Sequence, residues 1–178
     1  MRITISGPPG SGKTTVCRML GERLHLEVVI SGNIFRQMAK DRGMSLGDFG
    51  RMCEEDPEVD RLLDDRMVEI ARGSEGVILE GRLTAHMLTR NGIPALRVLL
   101  DADVDVRAAR VAEREGGDPA RRKQEILARE ACEAKRYLSF YNIDIGDRAI
   151  YDLVIDTTRL SPEEVASGIV EAAEALDG

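Results

Sequence analysis

Histidine, cysteine and lysine are scarce in this chain: two, three and four among 178 residues. His25 and His86 stand far apart, which argues against a zinc site and against a Ser-His-Asp triad. Cys17, Cys53 and Cys132 are odd in number and scattered without metal-type spacing. They read as reduced thiols of an intracellular protein, and a cytoplasmic location is expected. No apolar run approaches the length needed to span a bilayer, and no signal-peptide pattern opens the chain, so no membrane partner is expected. Net positive charge is missing as well. At −7, the chain is a poor match for a nucleic-acid polymer. It lacks the DxxG and NKxD motifs of GTPase switches, and it has neither repeats nor low-complexity tracts. The length suits one domain spanning 1–178, expected to be a monomer.

Arginine is abundant, with 21 residues against 4 lysines. Its planar fork grips phosphate bidentately, although genomic base composition gives the same bias, so position must decide which arginines function.

The most informative segment is the first. Arg2-Ile3-Thr4-Ile5-Ser6 reads as a strand, Gly7-Pro8-Pro9-Gly10-Ser11-Gly12-Lys13-Thr14 as a glycine-rich turn, and a helical pattern follows at once. That is the setting of a phosphate-binding loop. The glycines let backbone N–H groups converge on an anion, and the new helix adds its positive end. Lys13 supplies a mobile charge for the β/γ-phosphates, and the Thr14 hydroxyl is placed to ligate Mg²⁺. A nucleoside triphosphate is the expected ligand.

Apolar runs alternate with helical patterns throughout, which predicts an α/β fold with a parallel sheet. Strands are predicted near Arg2–Ser6, Glu27–Ser31, Gly76–Glu80, Ala95–Asp101 and Leu153–Asp156. The predicted helices are Lys13–Leu24, Ile34–Arg42, Ser45–Glu55, Pro57–Arg72, Thr84–Thr89, Val104–Arg114, Pro119–Phe140 and Pro162–Leu176. Asp56-Pro57, Asp118-Pro119 and Ser161-Pro162 each place a capping side chain before a proline at the first helical position. Glu164 completes a capping box. Two excursions, 32–75 and 114–152, interrupt the strand–helix rhythm at the edge where such sheets bind ligands.

Further constellations lie near that edge. Ser31-Gly32-Asn33-Ile34-Phe35-Arg36 opens a helix that Ser31 can cap, either as a second anion site or as an ordinary surface helix. Val77-Ile78-Leu79-Glu80-Gly81-Arg82 ends a strand in a carboxylate, like a Walker B element, and then presents an arginine. Arg107, Arg110 and Arg114 are spaced to share one helix face ahead of Gly116-Gly117, where like charges gain if an anion binds. Arg129 and Arg136, with Glu133 between them, line a second face. The glycines between these faces suit a mobile lid.

These pieces resemble a nucleoside monophosphate kinase, most closely the archaeal-type cytidylate kinases. The resemblance spans nearly the whole chain through GPPGSGKTT, SGNIFRQMA, DPEVDRLLDDR, VILEGRL, VRAARVAERE and REACEAKRYLSFYNIDIGD followed by YDLVIDT. It implies a P-loop kinase fold of three α/β/α layers, with a five-stranded parallel sheet, a monophosphate-binding insert at 32–75 and a short lid at about 114–124. It implies ATP and Mg²⁺ on Gly7 to Thr15, with Lys13 on the phosphates and Thr14 on the metal. Ser31, Arg36 and Arg82 match positions that grip the acceptor's phosphate, and Phe35 stands where bacterial relatives use tyrosine. Arg61 matches a cytosine-reading arginine, with Asp60 or Asp64 available to accept from the cytosine amino group. Arg129, Glu133 and Arg136 match a set on ribose and phosphate, with Glu133 in place of an aspartate. Arg110 and Arg114 resemble a lid pair, one stacking on adenine and one stabilising the transferred group. Leu83 stands where bacterial relatives carry an acid. The implied catalytic set is Lys13, Arg82, Arg114 and Arg136, and the implied reaction carries the γ-phosphoryl of ATP to CMP or dCMP. A kinase for AMP, UMP or shikimate, and a P-loop binding module without turnover, are the rival readings.

Overall fold

The computed structural model describes residues 1–177. Its elements run β1 (Arg2–Ser6), α1 (Lys13–Leu24), β2 (Glu27–Ile30), α2 (Ser31–Asp41), α3 (Leu46–Glu55), α4 (Pro57–Gly73) and β3 (Val77–Glu80), then α5 (Thr84–Arg90), β4 (Leu96–Asp101), α6 (Val104–Glu115), α7 (Pro119–Tyr141), β5 (Leu153–Asp156) and α8 (Pro162–Asp177). The strands form one parallel sheet in the order β2-β3-β1-β4-β5, as the alternation of apolar and helical runs predicts.

The strand residues show why the sheet has a layer on each face. Ile78 packs with Ile3, Ile5, Val98 and Leu100 against Val16 and Leu20 of α1 and Ile169 of α8. Val77 and Leu79, its neighbours in β3, face the other way onto Met67 and Ala71 of α4, Leu88 of α5 and Tyr137 of α7. Side chains alternate with a period of two, and a sheet buried on both sides needs apolar residues at every position. β3 supplies them at Val77, Ile78 and Leu79, and its fourth buried residue, Glu80, ends the strand at the polar edge.

The residues 32–75 fold around a small core of their own, where Phe49 is fully buried beside Ala39 and Cys53. Its ring lies 4.8 Å from that of Phe35. Burying such a ring contributes on the order of 2–3 kcal/mol, which holds α2 and α3 together.

The helix starts behave as their side chains dictate. Asp56 accepts from the Glu58 N–H at 2.9 Å, and Asp118 from the Ala120 N–H at 3.4 Å. The Ser161–Glu164 capping box closes in both directions, at 2.7 and 3.2 Å. One start differs from expectation. α2 begins at Ser31 rather than Ile34, the cap position falls on Ile30, and no side chain caps it. Here β2 runs straight into the helix, so Ser31 lies within the first turn and faces the sheet edge.

Candidate active site

All five strands end at one edge of the sheet, and their carboxyl ends carry the polar residues. The loop after β1 is shaped by close packing. A Cβ on Gly7 would lie 2.1 Å from the Leu100 carbonyl oxygen, so only glycine lets the loop pass β4. Gly12 takes φ 92° at the cap of α1 and offers no side-chain acceptor, which leaves the first N–H groups of that helix free for an anion. Thr15 is exposed on the first turn of α1.

The Lys13 Nζ donates to the Pro8 carbonyl at 3.0 Å, folding over its own loop. Desolvation there pushes its pKa down to about 8, with Arg82 and Arg129 adding to the fall and Glu80 opposing it. The Thr14 hydroxyl donates to Glu80 Oε2 at 3.2 Å. Register explains this contact, because Glu80 ends β3 directly beside Ile5 of β1.

Beside the loop opens a cavity of about 510 Å³. Ser31, Phe35 and Arg36 enter it from α2, Asp60 and Asp64 from α4, Arg82 from the end of β3, and Arg129, Glu133 and Arg136 from α7. Three of its four arginines are held by carboxylates. Glu133, buried, accepts from Arg82 Nε at 2.8 Å and from Arg129 Nε at 2.9 Å. Burial alone would raise its pKa, but the two guanidiniums outweigh that and hold it below the usual range. Arg136 Nε donates to Asp60 at 3.3 Å, while Arg36 reaches only Asn33 at 3.0 Å. Deeper in the cavity wall, Asp64 accepts from the Tyr141 hydroxyl at 2.6 Å, and burial pushes its carboxyl up to about 7.

Arg61 is not in this cavity. Its guanidinium donates to the Phe140 carbonyl at 3.2 Å and lies 5.6 Å from the centre of the Tyr141 ring, on the outer side of α4. Asp60, Met67, Val68 and Ala71 form the buried face of that helix, and position 61 is turned about 100° from Asp60. The apolar spacing of Met67, Val68 and Ala71 was the signal that separates 60 and 64 from 61.

A second cavity, of about 460 Å³, lies on the other side of the loop, lined by Gly10, Gly12, Thr15, Arg110, Arg114 and Pro162 among others. Arg110 is fixed there, donating to the Gly10 carbonyl at 3.2 Å and to the Thr157 hydroxyl and carbonyl at 3.0 and 2.7 Å. Arg114 stays exposed and pairs with its neighbour Glu115 at 2.7 Å. Arg107 departs from the pattern expected of a shared anion-seeking face. It is buried and neutralised by Glu130 at 2.8 Å, and it also donates to the Ala102 carbonyl at 3.0 Å. Spacing along α6 could not reveal Glu130, which comes from α7.

Between α6 and α7, Gly116 and Gly117 take φ 81° and 93°, and Arg122 Nε donates back to the Gly116 carbonyl at 3.0 Å. Among the described residues no helix is long and apolar enough to cross a membrane.

One arginine-lined cavity and a second cavity against the phosphate loop suit a phosphotransferase, and comparison with known proteins agrees. The protein is 46% identical over 176 residues to a cytidylate kinase of Methanothrix thermoacetophila, covering 99% of both chains. It is 48% identical to a cytidylate kinase of Pyrococcus abyssi over 96% of this chain and 92% of that one. Its fold matches that of shikimate kinase from Bacteroides thetaiotaomicron with a TM-score of 0.66 over 98% of each chain, at 16% identity. The description "Cytidylate kinase-like family" fits residues 2–159, nearly the whole length. The chain belongs to the cytidylate kinase-like family.

Proposed function

We propose that this chain transfers the γ-phosphoryl group of ATP to CMP, and to dCMP, giving ADP and the cytidine diphosphate. The observation that carries the reading is the closeness of the two sites: the phosphate loop meets the end of β3 through Thr14 and Glu80, and Arg82, two residues on, lines the larger cavity. ATP lies with its purine in the cavity beside Arg110 and its phosphates on Gly7 to Thr15. CMP lies with its phosphate among Ser31, Arg36 and Arg82. The Glu133 carboxylate keeps Arg82 and Arg129 extended toward that phosphate, and Arg136 approaches from α7.

The acceptor oxygen belongs to a phosphate that is already largely ionised near neutral pH, so no protein base is needed. It attacks the γ-phosphorus, the bond to the β-γ bridging oxygen breaks, and ADP leaves with that oxygen. Lys13, Arg82, Arg114 and Arg136 compensate the charge on the equatorial oxygens, and positioning does most of the work. The segment 114–124 acts as the lid, bringing Arg114 inward and excluding water. Residues 1–178 act as one domain, with 32–75 binding the monophosphate, as a monomer in the cytoplasm.

The Thr14–Glu80 pair fits magnesium. Two hard oxygen donors stand 3.2 Å apart at the phosphate end of the loop, and magnesium takes one or two protein ligands plus substrate phosphates. When bound, the ion neutralises charge on the β- and γ-oxygens.

Binding phosphate stabilises the Lys13 ammonium and raises its pKa above the free value of about 8. The ammonium is present in both states below pH 8, so affinity is flat there. Above it, binding must take up a proton and affinity falls. ATP titrations from pH 6.5 to 9.5 are expected to show Kd level up to pH 7.5 and rising beyond 8 by up to about tenfold per unit. The weaker binding of Lys13→Met is expected to lack that rise.

For the base, Asp64 and Asp60 line the cavity and Arg61 does not. Cytosine and uracil differ in whether the exocyclic group donates or accepts, so a carboxylate selects cytosine. Asp64→Asn is expected to narrow the CMP-over-UMP preference in kcat/KM by about tenfold, the worth of one base-specific hydrogen bond. Arg61→Met is expected to change it less than twofold, and steady-state assays with both acceptors decide between them.

A further inference from the structure

Thr157 follows β5 and has no part in the reaction as derived above, yet it is 3% exposed and its polar atoms are heavily engaged. Its hydroxyl donates to the Ser11 carbonyl of the phosphate loop at 3.1 Å and accepts from Arg110 at 3.0 Å. Its carbonyl accepts from the other Arg110 nitrogen at 2.7 Å, and its N–H donates to the Asp101 carbonyl at 2.7 Å. One side chain thus joins the loop after β1, the middle of α6 and the loop before α8. These three segments form the walls of the smaller cavity.

We propose that Thr157 is a positioning residue for ATP: it locks the Arg110 guanidinium in one orientation as a wall of the purine cavity. The proposal rests on the placement of ATP given above. A guanidinium on a flexible stem loses rotamer freedom when it forms a face for a planar base. Here two of its nitrogens are held by Thr157 in advance, so that loss is met in the folding of the chain rather than on binding. The Gly10 carbonyl, at 3.2 Å, is the one remaining anchor among the hydrogen bonds of Arg110, and it touches the same nitrogen as the threonine hydroxyl. Without the hydroxyl that nitrogen keeps only the longer bond to the Gly10 carbonyl, and the hold on the plane is looser. Valine has the same shape and lacks the hydroxyl, whereas serine keeps the hydroxyl and lacks only the methyl group.

The test is a double-mutant cycle on the full chain, with KM for ATP and for CMP measured separately. Thr157→Val is expected to raise KM for ATP about tenfold, with KM for CMP within twofold and kcat within threefold of the unsubstituted enzyme. Thr157→Ser is expected to restore KM for ATP to within twofold. In an Arg110→Met background, Thr157→Val is expected to add less than twofold, since there is no guanidinium left to orient. A thermal melt of each variant separates packing from positioning: valine that lowers Tm without moving KM for ATP overturns the proposal. An equal tenfold effect with and without Arg110 overturns it too. If Arg110→Met itself leaves KM for ATP unchanged, the cavity is not the purine site and the underlying placement falls with the proposal. If Arg110→Met raises KM and Thr157→Val does not, that placement survives and only the role of Thr157 is wrong. Should valine fail to fold, the serine variant and Thr157→Ala carry the same comparison.

Discussion

Lys13→Ala is expected to lower kcat by about 10³-fold, while the chain melts at the same temperature or slightly above. The loss corresponds to about 4 kcal/mol of transition-state stabilisation, the scale on which a single preorganised cation or donor acts on transferring phosphoryl oxygens. The unchanged stability follows from the free enzyme. Desolvation depresses the pKa of Lys13, and its nitrogen has a single neutral partner, the Pro8 carbonyl. Folding therefore gains little from that charge, and alanine relieves a desolvation penalty. A coupled assay for ADP, run beside a thermal melt, checks both halves. Activity within tenfold of the unsubstituted enzyme would remove Lys13 from the transfer step.

Arg82 is the second large effect, and here stability and activity are coupled. Arg82 leaves the end of β3 between the loop and the acceptor cavity and holds Glu133 at 2.8 Å. Arg82→Ala is expected to reduce kcat/KM for CMP by about 10³-fold, through loss of both phosphate binding and charge compensation. It also leaves the buried Glu133 with Arg129 alone, so Tm is expected to fall. Arg82→Lys separates the two consequences. The charge near Glu133 is kept and the fold with it, but a point charge replaces the planar fork, and kcat/KM is expected to drop about 100-fold. A lysine variant with full activity would show that Arg82 serves Glu133 and not the phosphate.

How much of this was written in the sequence depends on the range of the interaction. Local chemistry was legible. The loop from Gly7 to Thr14 acts within eight residues, and the Asp-Pro helix starts at 56 and 118 and the capping box at Ser161 act within four and form as expected. The parallel sheet followed from the alternation of short apolar runs with helices. The start of α2 was not legible, because Ile30 runs directly into the helix and no capping residue marks the change. Charge pairing was the main thing hidden. Glu133 and Arg82 are 51 residues apart, and Arg136 and Asp60 are 76 apart. Only the packing of α7 across the strand ends brings them together. The sequence therefore displayed an array of free arginines, whereas several of them are held in place by carboxylates. Arg107 is the clearest case, since its spacing with Arg110 suggested a shared task while its burial against Glu130 gives it a structural one. Thr157 had no sequence signal beyond its position after a strand.

The proposed reaction requires ATP and CMP to meet across Lys13 and Arg82. The direct measurement is kcat/KM for CMP, UMP, AMP and shikimate as acceptors with ATP and magnesium, under one set of conditions. CMP is expected to exceed each of the others by at least about tenfold, the worth of one base-specific hydrogen bond. Comparable or faster phosphorylation of AMP, UMP or shikimate, or ATP binding with no acceptor turned over, would contradict it.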